Sequence, residues 1–145
     1  MYEEEIQFLK NVEDPLDSNN QRDLLTDAEC KELQSKYPGI PNEYTSYLME
    51  VGYGSVREDQ YMIYGYPTLC HEDSDFSWYE TNGVNYLVIG DDFAGNLYAL
   101  NIDSGYKPVL LDHECNEEFP HRGSIKSFFR QMMLLDENGN DQREP

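Results

Sequence analysis

The sequence predicts an α+β fold: an antiparallel, meander-like sheet, preceded by N-terminal helices and followed by a C-terminal closing helix packed against it. Three observations predict it. Apolar residues recur at three- and four-residue spacing early and late in the chain, which is the helical period. Between those regions the chain switches to short runs of aromatic and β-branched residues separated by turn residues, the signature of strands. No helical stretch interrupts the runs, so hairpins and not crossover helices must join them.

Residues 2–10 suit a short helix, with Glu3, Glu4 and Glu5 at the positive end of its dipole. Residues 11–25, NVEDPLDSNNQRDLL, read as loop because of Pro15 and the Ser18-Asn19-Asn20 cluster. A second helix starts at Thr26, where Thr26-Asp27-Ala28-Glu29 is a capping box. Ala28, Leu33 and Tyr37 supply its apolar stripe, and Pro38-Gly39 stops it. A third helix follows, with Pro41 as its first helical residue, Tyr44, Tyr47, Leu48 and Val51 on one face, and Gly52 after its end. Strands are expected at Tyr61–Gly65, Tyr86–Ile89, Asn96–Ile102 and Val109–Leu111. In the third of these, Leu97, Ala99 and Asn101 share one face, and Tyr98, Leu100 and Ile102 the other. Ser124 can cap a closing helix over 125–136, whose core face is Ile125, Phe128, Phe129, Met132 and Leu135.

Three segments in this order, YPGIPNEYTSYLMEVGYGSV, YLVIGDDFAGNLYALNIDSGYKPVLLDHE and SIKSFFRQM, resemble the SUKH superfamily. That superfamily includes a yeast cell-wall assembly regulator and many bacterial immunity proteins of polymorphic toxin systems. The matching positions are Ile40-Pro41, Tyr44, Leu48, Gly52, Ile89-Gly90-Asp91, Gly95, Leu100 and Phe128-Phe129, and the likeness spans roughly residues 24–135. The resemblance implies an α+β fold and a non-enzymatic binding role, in which a bacterial cell neutralises a toxin of its own kin. It carries no catalytic motif and names no contact residues.

The length of 145 residues suits a single domain, with a core over about 24–136 and a fraying tail over 137–145. The chain has 10 Lys and Arg against 29 Asp and Glu, a formal charge of −19. Such a field disfavours phosphate backbones and anionic membranes, and favours a basic protein partner. The first residues lack the basic and apolar regions of a secretory leader, and no apolar run reaches the roughly 20 residues of a membrane span. Three scattered cysteines suit a reducing compartment. The expectation is a cytoplasmic monomer or weak homodimer without a cofactor.

Several constellations invite a chemical reading. Asp91 and Asp92 end an apolar run, and with Asp103 and Asp112 they could in principle ligate a metal. DDFAG, however, has the length and composition of a hairpin connection, and no D-x-D-x-D-G spacing accompanies it. Cys70-His71 and His113-Glu114-Cys115 hold zinc-ligand residue types, but adjacent ligands chelate less well than C-x-x-C pairs. Cys70 has no orienting group for His71 as a base, and no nucleophile elbow, P-loop or dinucleotide fingerprint is present. Binding is better supported. HEDSDFSWYETNG interleaves Glu72, Asp73, Asp75 and Glu80 with Phe76, Trp78 and Tyr79, which suits capture of a cationic toxin such as a nuclease. Trp78 and Phe76 could equally fold back as core. A second acidic cluster, Arg57-Glu58-Asp59-Gln60, adds Glu58 and Asp59 as contact candidates. The expected function is an immunity protein that occludes a basic toxin domain; a scaffold or regulatory module of the same fold is the alternative.

Overall fold

The local signals in the sequence become four helices and one sheet in a computed structural model that describes residues 1–143. Helix α1 spans Glu3–Val12, α2 Asp27–Lys36 and α3 Asn42–Glu50. Strands β1 (Gly54–Val56), β2 (Tyr61–Leu69), β3 (Tyr86–Asp91), β4 (Leu97–Asn101), β5 (Lys107–Leu111) and β6 (Glu118–Pro120) follow, then α4 (Ile125–Met132). The Thr26 capping box forms: its hydroxyl accepts from the Glu29 amide, and Glu29 reaches back to the Thr26 amide. Ser124 caps α4 through the Ser127 amide. Gly52 adopts φ +103° after α3, a conformation that L side chains rarely adopt.

The six strands lie in sequence order, each antiparallel to the next. The meander and the closing helix are therefore as the periodicities predict. Several details differ. Ala28 is exposed, and Cys30 joins Leu33 and Tyr37 on the buried side of α2. Pro41 occupies the cap position before α3, not its first turn. Strands β1 and β6 were not legible, being three residues each and polar in part. Helix α4 stops at Met132 because Leu134 takes φ +62°, although Leu135 still reaches the core.

Residues 137–143, expected to fray, make polar contacts with the rest of the fold. Leu135 bridges Asp141, and the Asp136 carboxylate accepts from the Asn138 and Asn140 amides. Asp141 is in turn held by Arg57. These polar anchors replace the apolar ones the sequence lacks. Residues 144 and 145 of the expected tail lie outside the described residues.

Helices pack on one face of the sheet. Tyr47 of α3 stacks on Phe129 of α4 at 3.9 Å between ring centroids, and Tyr2 meets Tyr47 edge-on at 5.7 Å. The Tyr47 and Tyr61 hydroxyls hydrogen-bond at 2.9 Å inside this core. Glu5 is fully buried, and its carboxylate pairs with Arg130 at 2.9 Å and Lys126 at 3.7 Å. A buried carboxylate needs such partners, since desolvation otherwise costs several kcal/mol. The β2 backbone lies close against Gly90 of β3, where a Cβ would sit 2.1 Å from the Met62 carbonyl oxygen. Gly90 is thus required by the neighbouring backbone.

Candidate functional site

The opposite face of the sheet builds a second, smaller core from Cys70, Tyr79, Tyr86, Val88, Leu97, Ala99, Val109 and Leu111. Alternation along β4 produces it, with Leu97 and Ala99 on this face and Leu100 on the helix side. The segment 70–84 folds over it as a cover. After β2 the chain makes two single helical turns, the second capped by the Asp73 carboxylate, which accepts from the Asp75 amide at 2.9 Å. The buried Cys70 thiol donates to the Phe76 carbonyl at 3.4 Å. Phe76 lies parallel to the Tyr64 ring at 6.1 Å, half-buried.

The two neighbouring aromatics of this cover divide their roles. Tyr79 is only 6% exposed and packs edge-on to Tyr86 at 5.7 Å, so it is core and not an accessible contact as expected. Trp78 is 40% exposed and meets Tyr79 edge-on at 5.8 Å. Around it Glu72, Asp75 and Glu80 are exposed, while Asp73 is half-buried by its capping duty. The structure thus gathers Glu72, Asp73, Asp75, Trp78 and Glu80 on one cover.

Residues the sequence did not flag complete this face. The Tyr64 hydroxyl donates to Asp91 and the Tyr86 hydroxyl to Glu118. Burial first, and then the hydrogen bond to the carboxylate, push both phenols well above their ordinary pKa. Both therefore stay protonated donors to carboxylates at the margins of an aromatic surface. Their signal in the sequence is only the alternation of β2 and β3. Charge reinforces the picture: between Glu58 and His121, a stretch holding β2 to β6, stand 13 Asp and Glu and a single cation, Lys107.

Glu58 and Asp59 lie elsewhere. They form the β1–β2 turn, at the opposite end of β2 from the 70–84 cover, so the two acidic clusters do not join. Arg57, Glu58 and Asp59 all take positive φ (50°, 52° and 68°). Glu58 accepts from the Asp14 amide and the Asn20 side chain, the latter bond chiefly lowering its pKa. Asp59 accepts from the Ser55 hydroxyl at 2.6 Å. Both carboxylates brace this turn.

The suspected metal residues serve their own turns. Asp91 accepts from the Phe93 amide, and Asp92 from the Ala94 and Asn96 amides, so DDFAG is a hairpin corner. Asp103 accepts from the Asn85 amide, and Asp112 from the Glu114 and Cys115 amides; these bonds lower both pKa values. His113 is engaged by Asn96 at 2.7 Å, and burial pushes the Cys70 thiol up. Among the described residues no group of three or more His, Cys, Asp or Glu could hold a metal ion. Nor is any described helix long and apolar enough to cross a membrane.

Comparison with protein-family models, with curated proteins and with solved structures finds no match to this chain.

Proposed function

We propose that this protein is an immunity-type binding module, which captures a basic toxin domain on the acidic cover of its sheet and blocks it by occlusion. One observation carries the reading. An exposed Trp78 stands among Glu72, Asp75 and Glu80, on the sheet-bearing stretch that holds 13 carboxylates and one cation. Aromatic anchors ringed by charge are the usual hot spots of protein interfaces, and a one-signed field speeds encounter with an opposite partner. A cation-rich enzyme surface, such as one that attracts phosphate, has the matching chemistry. A reducing cytoplasm is the setting that the free cysteines Cys30, Cys70 and Cys115 suit.

The test is capture from the source organism, followed by association kinetics with any basic toxin-like protein encoded beside this gene. The proposal expects a complex whose on-rate falls steeply with salt and which abolishes the partner's toxicity. Absence of both a co-purifying toxin and binding by the neighbouring product overturns it. A complex that leaves the partner's activity intact would instead favour a scaffold role.

A further inference from the structure

On the helix-covered side of the sheet, α4 leaves part of β4, β5 and β6 uncovered. Tyr98, Leu110 and Phe119 stand directly across from one another on these three strands, in one cross-strand row. Phe128 of α4 meets Tyr98 edge-on at 5.5 Å and walls the row on one side, with Leu134 beside it. The resulting groove encloses about 370 Å³. Phe119 at its lip is 48% exposed. Among the described residues, Asp92 brings the only carboxylate to its wall, and burial lowers the pKa of His121. Past His121 the groove continues around α4 into a hollow of about 580 Å³, where Arg130 is already paired with Glu4 and Glu5 and the lining also holds Arg122 and Glu137.

We propose that this groove is a second docking surface, which receives the apolar face of an amphipathic, cation-bearing helix of the partner protein. An apolar row of this kind on an otherwise charged surface is where helices dock, through anchors three and four residues apart. Charge selects the occupant. Two copies of this chain, each at −19, repel one another, and an anionic lipid surface is repelled as well. A segment with apolar residues on one side and Lys or Arg on the other satisfies both the groove and the field. The identity of that occupant as a basic protein rests on the function proposed above; the groove itself is separate from the Trp78 cover, being on the other face of the sheet.

The probe is a synthetic Leu/Lys peptide whose helix has one apolar face, set against a scrambled peptide of the same composition. Both are titrated into the full-length, isotope-labelled protein and followed by amide chemical shifts. The proposal expects the amphipathic peptide to shift Tyr98, Leu110, Phe119, Phe128 and Gln131, and to bind about tenfold tighter than its scrambled form. Phe119→Glu, an exposed position, should weaken it about tenfold while Trp78→Ala leaves it unchanged. Phe119→Ala, which removes the ring without adding charge, serves as a second groove variant if Phe119→Glu alters the fold. Equal binding of the two peptides, or shifts confined to the 72–80 cover, overturns the groove yet leaves the proposed function standing. Groove binding with no cognate toxin found has the opposite meaning.

Discussion

Arg57 holds Asp141 in a two-point contact, each guanidinium nitrogen 2.9 Å from a carboxylate oxygen. Arg57 also donates to the Met133 carbonyl, lies over the Phe8 ring and gives its amide to Glu13. Three successive left-handed residues cost roughly 1 kcal/mol each or more, and only a surrounding structure that over-determines them can hold them. Arg57 supplies that hold. Arg57→Ala should destabilise the domain by roughly 3 kcal/mol, seen as a lower urea midpoint. An unchanged midpoint would mean that the β1–β2 turn supports itself.

The same pair gives a pH signature. The Arg57 hydrogen bonds hold the Asp141 carboxyl below its ordinary value of 3.8. A depressed folded pKa contributes stability that is fully present above 3.8 and is lost as pH falls through the folded value. Asp141→Asn should therefore flatten the acid limb of the stability curve below pH 3.8. Relief of the −19 self-repulsion on acidification acts in the opposite direction in both proteins, so the difference between them isolates the pair. Parallel acid limbs would show that the pair is energetically silent.

Phe129 is fully buried against Tyr47. Phe129→Ala should cost about 4 kcal/mol from lost burial, cavity and stacking, measured by chemical denaturation. A cost below about 1 kcal/mol would place the centre of the core elsewhere.

Gly90→Ala must push its methyl group into the Met62 carbonyl. A loss of more than about 2 kcal/mol is expected, with amide shifts spreading into β2. A neutral substitution would show that β2 yields freely at that point.

Trp78 and Tyr79 should respond in opposite ways. Trp78→Ala is expected to change stability by less than about 1 kcal/mol, whereas Tyr79→Ala should cost about 3 kcal/mol. Binding of the basic partner should weaken about tenfold in the Trp78 variant. Equal stability losses would make Trp78 a core residue after all.

The helices and the sheet order were legible because caps and periodicities are local. Thr26, Ser124 and the alternation through Leu97–Asn101 state their roles within a few residues. What stayed hidden depends on distant partners. Arg57 and Asp141 are 84 residues apart, and nothing near either one announces the pair that ties down the tail. Tyr64 and Tyr86 look like ordinary strand residues until the fold sets Asp91 and Glu118 beside them. Adjacent Trp78 and Tyr79 share a composition-based prediction, but the backbone turns one inward and leaves the other in solvent. The two short strands escaped for another reason: three residues are too few to show a period.

The burial of Glu5 has a consequence during synthesis. Its cation on α4 is 125 residues downstream, so a growing chain carries α1 without the charge that makes its seat tolerable. Until α4 has been made, α1 gains nothing by settling into its native place. The sheet hairpins, whose partners are near neighbours in the chain, can form meanwhile. On the ribosome, the first helix to be made should be among the last to dock.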